Sequence, residues 1–413
     1  MSCRFAAIAL LLLALVRPVT GADVTLVVDD TDGFAGRSQS PVSARVDVKE
    51  LEEAQLKFDR LVLVEITSGR TGTAPVPVQF EPDEGAAGKA TLRWLMPPGE
   101  KRQRRFKLAN AAQPATALGV RLDKKLGRID VTEGDLPVLR YNHGMVPVKP
   151  GTHPHFAKGE TYERADYISP LFGLDGEELT EDYPADHPHH RGVWWSWPVT
   201  RWNDQVRDIW AVNGVRAHPV AIGTCEAGPV AARIEAESVW KWADKDPIVN
   251  ERVLIRAYRQ AGDCRVVDVD VRLTALVDGV AIGGRPKRGY GGFSLRAAPC
   301  KERKTTLHAD PPQAVPRRSW LDYSGVFAGG KGTSGATIFE NVSNPDYPNP
   351  LHEYLGCNCV MPAFPCDREI PLLKGKTLLL KHRLLIHRGG NDQEKACDIW
   401  NAYENPAKVT IAK

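Results

Sequence analysis

Apolar and polar residues alternate along most of this chain with a period of two. The pattern appears early in Val24-Thr25-Leu26-Val27-Val28, Val42-Ser43-Ala44-Arg45-Val46-Asp47-Val48 and Leu61-Val62-Leu63-Val64-Glu65-Ile66. It returns in Val253-Leu254-Ile255-Arg256-Ala257-Tyr258 and Val266-Val267-Asp268-Val269-Asp270-Val271-Arg272-Leu273. Successive side chains of an extended strand point to opposite faces, so such runs place one face on a core and the other toward water. They are rich in β-branched residues and are broken at short intervals by Gly, Pro, Asp and Asn, which predicts antiparallel strands joined by turns. Only short stretches such as Glu50 to Asp59 and Gln393 to Tyr403 read as helical. The expected fold class is all-β.

The patterning divides the chain. Residues 23 to about 110 predict a small β-sandwich of roughly seven short strands, the size of an immunoglobulin-like module. A Gln- and Ala-containing linker carries the chain to Ala117. Residues 118–413 predict one large antiparallel β-sandwich, and all eleven histidines lie in it. Function is therefore sought there. Two long Pro-rich loops interrupt this second part, Val146 to Glu160, which carries His153 and His155, and Asp310 to Arg318. Long loops in a compact domain are usually functional or disordered.

Residues 1–22 have the layout of a secretory signal peptide: Arg4, an apolar run from Phe5 to Val16, then Arg17, Pro18 and the small residues Gly21 and Ala22. The run falls short of the roughly 20 residues needed to span a bilayer. A periplasmic or extracellular protein without membrane attachment is expected. Losing Arg4 and Arg17 takes the formal charge from +3 to +1, a balance that argues against a nucleic-acid partner. Cys225, Cys264, Cys300, Cys357, Cys359, Cys366 and Cys397 remain. Disulfides are expected in an oxidising compartment, with at least one thiol left over. Cys357, Cys359 and Cys366 with His352 could be drawn as a zinc site, but they lack the paired C-x-x-C spacing, so a disulfide or buried thiols is the expectation.

The chemistry concentrates in Asp186-His187-Pro188-His189-His190-Arg191-Gly192. Imidazole ligates metals and moves protons near neutral pH, and a neighbouring carboxylate fixes its tautomer. On a straight strand His187 and His189 would share a face and His190 would take the other, so three co-facing donors require a bend, which Pro188 favours. A divalent metal on His187, His189 and His190 and metal-free acid–base catalysis with Asp186 both fit. The structural alternative is a loop capped by hydrogen-bonded histidines. Arg191 would clamp an anion or vicinal hydroxyls, or else pair with Asp186 or Asp182. Trp195 and Trp197 share a parity and are expected to line a ring-shaped ligand, with Trp194 on the opposite face. Arg164, Glu340, Asn344 and His352 complete the candidates, Glu340 as a second catalytic acid and the other three as binding residues. Each has a structural alternative as a surface pair or a turn former. Gly289-Tyr290-Gly291-Gly292-Phe293 lacks the strand and helix context of a dinucleotide motif, so no nucleotide cofactor is expected.

Several of these blocks carry a resemblance. Arg164-Ala165-Asp166-Tyr167-Ile168-Ser169-Pro170-Leu171, Gly173 to Gly176, Leu179-Thr180, the histidine block, Gly291-Gly292-Phe293 and Asn344-Pro345 resemble the secreted bacterial proteins labelled methane oxygenase PmoA, or PmoA-like, over about residues 135 to 390. That resemblance implies an exported β-sandwich protein of bacteria that degrade polysaccharides. The family often has His where this chain has Ser169. By analogy the large domain is similar to the supersandwich of sugar mutarotases, whose concave face presents His and Glu to a pyranose. The expectation is a secreted carbohydrate-active protein, an enzyme using His and carboxylate acid–base chemistry, with Trp as platform. A non-catalytic glycan-binding module and a metal-dependent oxygenase are the alternatives.

Overall fold

The computed structural model describes residues 24–67, 70–71, 74–83, 85–112, 118–147 and 162–412. Residues 1–22, expected to be a leader, residues 113–117 of the expected linker and the loop segment bearing His153 and His155 lie outside them. Strands hold 56% of the described residues and helices 8%, so the all-β expectation stands. The alternating runs are strands in each case: Thr25–Asp29, Pro41–Asp47, Leu61–Thr67, Asp246–Tyr258 and Cys264–Ala275. The two helical stretches form Val48–Glu53 and Gln393–Glu404.

The first module packs a six-stranded antiparallel sheet and a three-stranded one, Pro41–Asp47, Lys89–Leu95 and Gln79–Pro82, around Leu26, Val28, Val46, Leu63, Leu92, Trp94 and Phe106. One edge of its larger sheet comes from the far end of the chain. Strand Lys408–Ala412 pairs with Thr25–Asp29, Thr25 opposite Ala412 and Asp29 opposite Lys408, and packs Val409 and Ile411 on the same cluster. The stretch read as the large domain, 118–413, thus gives its last strand to the small one.

The large sandwich stacks two eight-stranded sheets. One runs, in spatial order, Leu351–Tyr354, Cys359–Pro362, Gly292–Arg296, Val193–Ser196, Tyr167–Leu171, Leu136–Asn142, Arg128–Glu133 and Leu118–Asp123. The other runs from Val215–Ala227 through Ala231–Trp242, Asp246–Tyr258, Cys264–Ala275, Thr377–Arg388, Thr333–Glu340 and Ser319–Phe327 to Cys300–Ala309. Ile129, Tyr141, Ile168 and Phe293 of the first meet Ile234, Val253, Ile255, Val269, Val271 and Leu384 of the second. Each such side chain contributes about 1.5–3 kcal/mol by leaving water. Within Cys264–Ala275 the alternation is literal, since Val267, Val269, Val271 and Leu273 are buried in this core while Asp268, Asp270 and Arg272 face out.

Both outer faces are partly covered. Helix Gln393–Glu404, capped by the Asp392 carboxylate accepting from Lys395 N–H at 3.1 Å, lays Ala396, Ile399 and Trp400 on Val266, Leu385, Trp320 and Tyr258. Leu95 of the first module joins that cluster, so the helix ties the modules together. On the other sheet a smaller cluster forms from Tyr167, Trp194, Cys359 and Met361 with Trp210. The candidate chemistry gathers on this face. All seven described cysteines are free, so the expected disulfides are absent among the described residues.

Candidate functional site

The histidine block is a tight turn. His190 N–H donates to His187 O at 2.9 Å, with Pro188 at the position where a fixed φ favours such turns. The turn is closed by the Asp182–Arg191 bridge and by Gly192, whose N–H donates to Glu181 O at 3.0 Å. Gly192 has φ +61, and a Cβ there would collide with Ile168 O and Ser169 Cβ, so glycine is what lets the turn lie against strand Tyr167–Leu171. Because the chain turns rather than extends, His187 and His190 share a side. Their rings stack at 4.7 Å with 20° between planes, while His189 stands edge-on to His190 at 4.7 Å.

These three imidazoles open on a cavity of about 310 Å³ lined also by Trp210, Arg285, Tyr290, Tyr354, Cys357 and Cys359, at the lower end of the range for small-molecule sites. Its aromatic rings run in a chain from His190 to Trp210 at 5.6 Å, Trp210 to Tyr290 at 5.3 Å and Tyr290 to Tyr354 at 5.8 Å, with buried Trp194 packed behind His190 and Trp210. Burial, reinforced by the Arg164 charge, pushes His189 down to about 3, and burial pushes His190 lower still, so both rings are neutral and keep a lone pair. Asp186 Oδ2 lies 3.0 Å from His187 Nδ1, and both Asp186 oxygens accept from Arg296, at 2.8 and 3.2 Å. Arg296 and His187 hold the Asp186 carboxyl below its usual range against the upward pull of burial.

The fourth chemical group comes from far along the chain. Strands Leu351–Tyr354 and Cys359–Pro362 form a hairpin at the sheet edge, and the connecting 3-10 turn Leu355–Cys357 places Cys357 over the histidines. Arg303 fastens that turn, donating to Leu355 O at 2.9 Å and Asn358 Oδ1 at 2.7 Å. Donor atoms of His187, His190 and Cys357 all lie within 4.8 Å of one another. The Cys359 thiol pulls the Cys357 thiol below its ordinary range, while burial pushes Cys359 up.

The sequence-based candidates separate into those that reach this pocket and those that support it. His187, His189 and His190 line it, and Asp186 stands behind His187. Trp195 and Trp197 do not line it. They point into the sandwich core, where their indole N–H groups donate to Glu251 Oε1 at 2.5 Å and Phe364 O at 2.9 Å. They share a face, as their parity requires, but the pocket lies on the face that takes Trp194. Arg191 is buried and is no clamp: it donates to Asp182 at 2.5 Å and to the Tyr167 hydroxyl at 2.5 Å, between the rings of Tyr167 and Tyr183. Arg164 is buried and donates to Ile209 O at 2.8 Å and Trp210 O at 2.5 Å, fixing the loop that presents Trp210. Glu340 does not line the pocket. It accepts from Asn349 N–H at 3.1 Å and Asn349 Nδ2 at 2.6 Å, and burial pushes it up to about 7. Asn344 pins the same loop through Lys381 O and Lys381 N–H. His352 contacts the Tyr354 hydroxyl at 3.4 Å and sits behind the pocket wall. Trp210, Tyr290, Tyr354 and Cys357 line the pocket instead of Trp195, Trp197 and Glu340.

A larger cavity of about 740 Å³ lies between the modules, lined by Arg45, Glu81, Arg93, Arg233, Arg256 and other charged residues. Its charges are matched, Arg45 to Asp83 at 2.8 Å and Arg93 to Glu81 at 2.9 Å, and among the described residues no metal-ligating group of His, Cys and carboxylates gathers there. The smaller pocket has the chemistry.

Comparison with curated proteins finds no match. One family model spans the sheets, the histidine turn and the Cys357 hairpin, matching residues 128–401, and with it the chain belongs to a family of unknown function, DUF6807.

Proposed function

We propose that this is an exported carbohydrate-active enzyme whose pocket holds a sugar ring against Trp210, Tyr290 and Tyr354 and reacts at the histidine turn. The observation that carries the reading is the convergence of three imidazoles with a continuous aromatic wall around one cavity of about 310 Å³. Aromatic faces suit the apolar C–H surface of a pyranose, while imidazoles exchange protons with its hydroxyls. His189 is the lone-pair acceptor for a substrate hydroxyl in this reading, because its neutral ring lines the cavity while His187 lies beside Asp186. The resemblance to PmoA-like proteins of polysaccharide-degrading bacteria and the leader-like residues 1–22 support the carbohydrate context and export. No helix among the described residues is long and apolar enough to cross a membrane.

The test is a glycan library screened for both binding and turnover. Trp210→Ala and Tyr290→Ala are expected to lose saccharide affinity by about tenfold or more. His189→Ala is expected to lose turnover by about a hundredfold with affinity kept. Turnover preserved in folded His189→Ala would remove it from the mechanism. Affinity without any turnover in the wild-type protein would make this a glycan-binding protein instead.

A further inference from the structure

We propose that His187, His190 and Cys357 bind a divalent transition-metal ion of the zinc or copper type, leaving one coordination position open to the pocket. The inference goes beyond the sugar-acting reading, since the donor geometry stands without it. Two imidazoles and one thiol are the mixed nitrogen and sulfur set that such ions select over magnesium or calcium. At bonds of about 2.0 Å to nitrogen and 2.3 Å to sulfur, donors on a tetrahedral ion stand about 3.3–3.8 Å apart. The three here fall within 4.8 Å of one another, so side-chain adjustments of about 1 Å close the site.

Three further features support an ion there. His190 is only 3% exposed, yet its Nδ1 has no hydrogen-bond partner. A buried polar atom without a partner points to a group that completes it. The Asp186 carboxylate stands 3.0 Å from His187 Nδ1 and so lies beside one of the proposed ligands. Asp186 is in turn held by Arg296, the carboxylate–histidine arrangement that orients metal ligands. Arg303 fixes the Leu355–Cys357 turn from outside, so the sulfur is held on a fastened element rather than on a loose loop. His189 is left free of the donor group and faces the pocket.

The full-length chain, purified without chelator, is analysed for metals, then stripped and titrated with cobalt(II) as the spectroscopic probe. About one zinc or copper per chain is expected, and the element found identifies the ion. Cobalt(II) is expected to give a sulfur-to-metal charge-transfer band that vanishes in Cys357→Ser and persists in Cys366→Ser. Asp186→Asn is expected to lower cobalt affinity about 10- to 100-fold while keeping the band. Should Cys357→Ser fail to fold, His190→Gln gives the same reading through lost affinity. Wild-type protein that takes up no cobalt, a bound ion without the band, or Cys357→Ser or His190→Gln binding as tightly as wild type would each overturn the proposal. Metal bound by a chain that turns over no sugar would leave this site standing and remove the reading above. Sugar turnover by a chain that refuses metal would do the reverse.

Discussion

Glu340 shows how burial turns a carboxylate into a pH-dependent element of stability. Its folded value, about 7, lies above the ordinary 4.5, so between those values the folded protein holds a proton that the unfolded chain has released. Stability is then highest below the unfolded value and falls as pH rises toward the folded one, by about 3 kcal/mol in total. Glu340→Gln is expected to flatten that decline, and urea unfolding midpoints from pH 4 to pH 8 measure it. The two tryptophan sets separate in the same way. Trp195→Phe removes a donor from buried Glu251 and is expected to cost about 1–3 kcal/mol of stability with saccharide affinity intact. Trp210→Ala is expected to lose that affinity, as read by titration calorimetry. At this scale the histidines and Asp186 were legible in the sequence because they are contiguous. Cys357 was not, because it reaches His187 only through strand pairing across the sheet, which leaves no local trace. Trp195 and Trp197 were misread because alternation says which side chains share a face and not which face holds the pocket.

The histidine turn depends on close backbone approach. Gly192→Ala would place a methyl group against Ile168 O at a positive φ, and it is expected to cost about 2 kcal/mol or more. Thermal unfolding checks this, and loss of the cobalt charge-transfer band in the same variant would show that the turn had moved. The strands were legible because their alternation is nearly unbroken, and helix Gln393–Glu404 because its apolar residues at 396, 399, 400 and 403 follow helical spacing. The bend at Pro188 was readable from turn chemistry. The hairpin that delivers Cys357 was not, since Leu351–Tyr354 is only half-buried along its length and carries no alternating signal.

Over the whole molecule, two sandwiches share one helix, and the second gives one strand to the first. Removing residues 408–412 takes Val409 and Ile411 from the first module's cluster and uncovers the edge of Thr25–Asp29. The truncated protein is expected to lose about 2–3 kcal/mol from that module and to self-associate through the bare edge. Calorimetry would show the loss, and light scattering the association. The fold class was visible from composition and period, but the returning strand was not, because a pairing between opposite ends of a chain has no counterpart in any local window. Its consequence is temporal. A chain made from its N-terminus presents the small sandwich first, yet that sandwich waits with an open flank for residues that emerge only after the large one is complete. The module first in synthesis is therefore last to close, and a nascent chain halted anywhere before Lys408 exposes an unpaired strand to chaperones and proteases.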